Sequence, residues 1–199
     1  MAQPTLFIIA GPNGAGKTTY AFRRLEAVTG SVKFVNLDEI ARGLSPLRPL
    51  EGQQRAARVA LQMTRSLIRE GTSFSIETTL SGRTHLRTIA AAHAAGFSVS
   101  LFYFAAPDVA TCLARIARRV AEGGHDVPAT DVLRRFGRSL ANLPEYAAQA
   151  NLWRIFDASV HTPKVAAEGR RACVASIGDV AHMHPALLQW LRALPPCKE

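Results

Sequence analysis

The chain of 199 residues is 48% hydrophobic and 20% charged, a size and balance at which one compact domain buries an adequate core, so a single domain over residues 1–199 is expected. No run approaches the roughly 18 apolar residues that a membrane-spanning helix needs, and the N-terminus lacks the basic-then-apolar layout of a secretory signal, so the expected address is cytoplasmic, with no membrane partner. The net charge of +9 favours polyanionic ligands. Lysine is confined to Lys17, Lys33, Lys164 and Lys198, so arginine carries most of that charge and is the better fork for phosphate oxygens.

Thr5 to Ala10 reads as a buried strand, followed by a glycine-rich loop and a helix from about Lys17 to Val28. Gly11-Pro12-Asn13-Gly14-Ala15-Gly16-Lys17-Thr18 satisfies G-x-x-x-x-G-K-[ST] between that strand and that helix, the context in which the motif cradles phosphates. The backbone N–H groups of the loop and the positive end of the helix are expected to face a β-phosphate. Lys17 is expected to bridge the β- and γ-phosphates, Thr18 to give its hydroxyl to Mg²⁺, and Thr19 to reach the α-phosphate. Residues 11–19 are therefore the expected ATP-binding set, with Thr18 the metal ligand.

Val32 to Asn36 reads as a second strand, Gly52 to Gly71 bounds a long helix, and Phe74 to Glu77 reads as a third strand. In a parallel sheet Asp38 and Glu77 both project from the carboxyl edge that carries the phosphate loop. Asp38 is a candidate general base for an attacking hydroxyl, and Glu77 a candidate to orient substrate or hold the water shell of Mg²⁺; the two roles are interchangeable at this level. The structural alternative for Asp38 is a helix N-cap before Ile40.

His85 to Ala95 forms a further predicted helix, closed by Gly96 and followed by a nearly all-apolar strand from Ser98 to Phe104. Helices are predicted from Asp108 to Glu122 and from about Thr130 to Leu143, on either side of Gly123-Gly124-His125. Arg115, Arg118 and Arg119 share one face of the first, and Arg134, Arg135 and Arg138 one face of the second. They are either a lid, over about residues 108–143, that closes on the phosphates, or ordinary solvated faces. His125 is read as a lid or turn residue, since the chain offers it no metal partners at ligand spacing.

Arg154 to Asp157 and Ala172 to Ile177 are the last predicted strands and Pro185 to Leu194 the last helix, with His182 and His184 read as surface residues. Cys112, Cys173 and Cys197 are scattered and form no C-x-x-C pair, so neither a disulfide nor a zinc knuckle is expected, and Cys112 is assigned to the core. Strands alternating with helices imply a mainly parallel sheet covered on both faces, hence a three-layer α/β/α nucleoside-kinase-like P-loop fold.

Three further blocks join the phosphate loop: Asn36-Leu37-Asp38-Glu39-Ile40-Ala41, Phe74 to Gly82 (Phe-Ser-Ile-Glu-Thr-Thr-Leu-Ser-Gly), and Arg119 to Pro128 (Arg-Val-Ala-Glu-Gly-Gly-His-Asp-Val-Pro). Together they resemble the zeta-toxin-like kinases of toxin–antitoxin systems, over roughly Leu6 to Ser159. The resemblance implies ATP-dependent phosphorylation of a hydroxyl, in the best-known members the sugar 3′-hydroxyl of UDP-N-acetylglucosamine. It makes Asp38 the base, Lys17 the phosphate-binding lysine, and Glu77 with Thr79 substrate contacts. Arg119 and either Arg134 or Arg135 become the phosphate-stabilising arginines, and a small acidic antitoxin becomes a candidate partner. The chain departs from the family at Asp157-Ala158-Ser159, where Asp-Asn-Ser is common. A basic NTPase that binds RNA or DNA is the competing reading, weakened because aromatics make up only 7% and form no evident stacking platform beside the arginines.

Overall fold

Period-two alternation along two central strands sets the architecture. The computed structural model describes residues 3–31, 33–124, 126–160 and 162–198. In strand β1 (Thr5–Ala10), Leu6, Ile8 and Ala10 enter one core cluster while Ile9 enters a second on the opposite face. In β4 (Ser98–Ala105), Val99, Leu101, Tyr103 and Ala105 join the first cluster, and Phe102 and Phe104 the second. Such strands are buried on both sides and read as continuous apolar runs, as expected of a covered parallel sheet.

The remaining strands and α-helices are α1 (Lys17–Thr29), β2 (Phe34–Val35), α2 (Leu37–Leu44), α3 (Gln53–Arg69), β3 (Phe74–Thr78), α4 (Thr84–Ala94), α5 (Val109–Ala121), α6 (Ala129–Gln149), β5 (Leu152–Asp157), β6 (Lys164–Arg170), β7 (Cys173–Ile177) and α7 (Pro185–Ala193), with a 3-10 turn at Pro49–Gly52. The sheet order is β2-β3-β1-β4-β5-β6-β7; the first five strands are parallel and the last two add on antiparallel. Leu67 of α3, Ile89 of α4 and Leu187 of α7 cover one face; Leu25 of α1 and Ile116 of α5 cover the other. Helix α6 serves both, with Val132 and Phe136 in one cluster and Leu143 and Tyr146 in the other.

Four expectations are corrected. Helix α6 runs on to Gln149 with Pro144 inside it, because its C-terminal half buries Tyr146 and Ala147 and packing outweighs the lost backbone bond. The antiparallel strand β6 was not expected, since Lys-Val-Ala-Ala-Glu-Gly-Arg has little β-branched character. Asn36 caps α2 instead of ending a strand, and β2 is two residues long; Val32, the expected start of that strand, lies outside the described residues. Finally, Cys173 and Cys197 form a disulfide, while Cys112 is free and buried. The chain leaving α7 returns along β7, with Val174 N–H donating to the Pro195 carbonyl and Cys197 N–H to that of Val174, which brings together two cysteines that sequence spacing does not pair.

Candidate active site

Three parallel strands end at one level. Ile9 of β1 lies opposite Glu77 of β3, and Val35 of β2 opposite Ile76. The loop leaving β1 at Gly11, the residue following β2 at Asn36, and Glu77 are therefore neighbours at the carboxyl edge, where open α/β sheets bind their ligands.

The phosphate loop turns on left-handed glycines. Gly14 has φ 77° and Gly16 φ 85°. Gly16 is the N-cap of α1 and makes no side-chain capping bond, and the first turn of that helix carries no acidic residue. The unsatisfied N–H groups and the positive end of α1 therefore face the loop. Asn13 Oδ1 is buried there without a hydrogen-bond partner, so this amide has bonding capacity left over.

Lys17 is only 6% exposed, and its Nζ donates to the Pro12 carbonyl at 2.9 Å. The Thr18 hydroxyl donates to the Glu77 carboxylate, 3.0 Å from Oε1 and 2.9 Å from Oε2. Asn36 Nδ2 donates to Glu77 Oε2 at 2.8 Å, and Lys17 Nζ lies 3.9 Å from Oε1. Burial pushes the Lys17 ammonium below its ordinary range against the opposing pull of Glu77. It likewise pushes the Glu77 carboxyl upward, against the attraction of Lys17 and the Thr18 hydrogen bond. For both groups desolvation outweighs mutual attraction at this separation.

Asp38 stands exposed in the first turn of α2. It is not the cap: Asn36 Oδ1 takes that role, accepting from Asp38 N–H at 2.9 Å and Glu39 N–H at 3.2 Å. The Asp38 charge is felt at both Lys17 and Glu77, so it lies within electrostatic range of both.

The arginines divide. Arg119 lies within electrostatic range of Lys17, where its charge opposes protonation of that lysine, and its carbonyl accepts from Gly124 N–H. Arg115 donates to the Ser159 carbonyl, and Arg118 pairs with Glu122 on the surface. Arg134 and Arg135 both turn to Asp131 of their own helix, at 2.6 and 3.3 Å, so the contacts described for them do not bring them to the phosphate loop. Residues Cys112, Ile116, Val132 and Phe136 anchor α5 and α6 in the core, and Val127 of the connection between them joins the same cluster, so much of the expected lid is held to the body of the domain. His125, in the same connection, lies outside the described residues.

Beyond β3 the chain bends through Leu80, fully buried at φ 59°. Non-glycine residues hold that conformation only when their surroundings enforce it. Here Asn142 Nδ2 donates to the Leu80 carbonyl and the Tyr146 hydroxyl to that of Gly82, both from α6. Thr79, the expected substrate contact, meets the Ser81 hydroxyl at 2.8 Å beside the site. Ala158, the departure within Asp157-Ala158-Ser159, is buried in the core, so its side chain faces no ligand. His182 is exposed, as expected, and lies 3.0 Å from Asp157; His184 is half-buried, accepts from Ala186 N–H as the cap of α7 and packs edge-on to Phe136. Sequence reasoning did not assign a site role to Asn36, although Asn36-x-x-Glu39 ahead of a helix is a capping signature.

The AAA domain model matches residues 6–143, a stretch that runs from β1 into α6 and includes the phosphate loop, Asn36, Asp38, Glu77, Thr79 and Arg119. The chain belongs to the AAA domain family. An uncharacterized protein of Haemophilus influenzae is 33% identical to this AAA domain over 132 residues, 66% of the chain and 91% of that relative. Among solved structures, the AvrRxo1-ORF1:AvrRxo1-ORF2 complex with sulphate ions contains a chain that aligns at TM-score 0.70 and 19% identity, over 90% of this chain and 62% of that one. The same complex with ATP aligns at TM-score 0.66 and 18% identity, over 98% and 64%. The PezAT chromosomal toxin–antitoxin system of Streptococcus pneumoniae aligns at TM-score 0.63 and 17% identity, over 83% and 72%. These likenesses show a shared P-loop kinase fold, and this AAA domain spans under two thirds of the AvrRxo1 chain's length. No helix among the described residues is long and apolar enough to cross a membrane.

Proposed function

We propose that this AAA domain is an ATP-dependent kinase of zeta-toxin type that transfers the γ-phosphate of ATP to a hydroxyl of a small molecule. The observation that carries the reading is the convergence at one sheet edge of an uncapped phosphate-loop helix, a hydroxyl–carboxylate pair, Thr18 and Glu77, and the exposed carboxylate of Asp38. The loop suits a triphosphate, because its helix end lacks a side-chain cap and the space at Gly16 is open. The hard oxygens of Thr18 and Glu77 suit Mg²⁺, Thr18 as a ligand and Glu77 through the water shell. That ion, when bound, neutralises charge on the phosphate oxygens.

Asp38 accepts the proton of the acceptor hydroxyl, whose oxygen forms the new bond to the γ-phosphorus; the bond to the bridging oxygen breaks and ADP leaves. Lys17 leaves the Pro12 carbonyl to hold the phosphates, and Arg119 counters the charge that develops on the transferred group. Arg134 or Arg135 joins it only by releasing Asp131. Glu77 is already engaged by Thr18 and Asn36, so we assign it to the metal side and leave Thr79, with Asp38, to the acceptor. The resemblance favours a nucleotide sugar such as UDP-N-acetylglucosamine as acceptor, and the PezAT likeness favours a neutralising partner protein.

Incubation with γ-labelled ATP, Mg²⁺ and a panel of nucleotide sugars and small polyols tests the reading. Wild-type protein is expected to label one acceptor class, and Asp38→Asn to lower the rate about 10²–10⁴-fold with ATP binding retained. An unchanged rate in Asp38→Asn removes Asp38 as the base.

A further inference from the structure

Asn36 has no assigned part in this chemistry, yet it is 5% exposed and uses both ends of its amide. Its Oδ1 accepts from Asp38 N–H and Glu39 N–H, fixing the first turn of α2. Its Nδ2 donates to Glu77 Oε2, on the carboxylate that also receives the Thr18 hydroxyl. A helix cap needs only an acceptor, which serine or aspartate supplies equally well. Aspartate would also gain from the helix dipole, but here it would set a second carboxylate against Glu77. Asparagine offers the helix an oxygen and the carboxylate a donor at once from two separate atoms of one amide, which the single oxygen of a shorter hydroxyl side chain does not.

We infer that Asn36 is a positioning residue that ties Glu77 to the first turn of α2, so that the metal-side carboxylate and the Asp38 base hold one fixed geometry. The inference rests on the kinase reading for its consequence, but the tie itself is a property of the folded chain. From Thr18 on α1 the hydrogen bonds run through Glu77 on β3 and the Asn36 amide to the N–H of Asp38, so three elements that converge on the site are joined by side chains as well as by the sheet.

Two substitutions separate positioning from capping. Asn36→Ser keeps a capping oxygen but is too short to reach Glu77; Asn36→Ala removes both functions. We expect Asn36→Ser to melt within a few degrees of wild type, to lower kcat about 10–100-fold, and to change the KM for ATP by less than about threefold. Asn36→Ala should show the same kcat loss and also a lower melting temperature. In a Glu77→Gln background, Asn36→Ser should have little further effect. A readout independent of catalysis is the ¹⁵N-labelled side-chain amide signal of Asn36, assigned by its loss in Asn36→Ser, which should move in Glu77→Gln. Wild-type kcat in Asn36→Ser, or an amide signal indifferent to Glu77→Gln, overturns the inference. A moving amide signal in a protein that phosphorylates no acceptor upholds the tie and rejects the kinase reading.

Discussion

Alanine at Gly14 and at Gly16 should separate folding from nucleotide binding within one loop. Both glycines are left-handed, at φ 77° and 85°, so either alanine carries about 1–2 kcal/mol of backbone strain. They differ in what a methyl group would meet: at Gly14 it would lie 2.6 Å from the Cys112 carbonyl oxygen and 3.1 Å from Cys112 Cα, whereas at Gly16 nothing lies within 4 Å. Cys112 is a buried residue of α5, so relief at Gly14 requires that helix to shift, at about 1–3 kcal/mol more. At about 2–4 °C per kcal/mol for a chain of this size, Gly16→Ala should lower the nucleotide-free melting temperature by about 2–8 °C and Gly14→Ala by about 4–20 °C. The order reverses for ATP. The open space at Gly16 adjoins the end of α1 where phosphate is expected, so its methyl group should weaken ATP binding at least about tenfold. Scanning fluorimetry reads both effects: ATP at 100 times its dissociation constant should raise the wild-type midpoint by about 5–11 °C, and far less in Gly16→Ala. Gly14→Ala melting at or above Gly16→Ala, or a wild-type ATP shift in Gly16→Ala, would refute the loop geometry.

The disulfide spans a sequence separation of 24. Chain-entropy reasoning gives it about 3.5 kcal/mol, so reduction, or Cys173→Ser with Cys197→Ser, should lower the melting midpoint by about 7–14 °C; no change would mean the bond adds nothing. His85, half-buried at the start of α4, is held below its ordinary value of 6.5 by burial. The unfolded chain therefore takes up this proton first as pH falls, so the stability that neutral His85 preserves is complete above about pH 6.5 and is lost below it. Urea midpoints measured from pH 7.5 to 5 should fall more steeply for wild type than for His85→Gln, and parallel slopes would show that His85 has no part in acid sensitivity.

How much of this was legible in the sequence depends on where the information sits. Strands β1, β3 and β4 could be read because both their faces are buried, which writes an apolar run with no competing pattern. The phosphate loop could be read because its glycines answer a backbone demand, which holds whatever surrounds them. Strand β6 could not, since Lys164–Arg170 gains its order by pairing antiparallel with its neighbours, not from its own composition. Nor could the left-handed turn at Leu80, a residue that α6 holds in place through Asn142 and Tyr146, more than sixty positions away. The disulfide belongs to the same class, being set by the return of the chain after α7. Asn36 is intermediate: its capping signature is local, but its second bond depends on the register that puts Val35 opposite Ile76.

That register also bears on the electrostatics of the site. A buried ammonium and carboxylate in direct contact would each hold the other charged, and Lys17 and Glu77 are 3.9 Å apart. Their hydrogen bonds point elsewhere, to the Pro12 carbonyl for Lys17 and to Thr18 and Asn36 for Glu77, and burial shifts both toward neutrality. A pair arranged mainly for stability would close that gap, because removing water from two charges is repaid only by close geometry. The observed spacing makes this a loose ion pair, with Lys17 at the end of α1 and Glu77 beside the Thr18 hydroxyl. A phosphate chain carrying a divalent cation would answer both charges at once, so the spacing of these two residues fits the nucleotide reading proposed above.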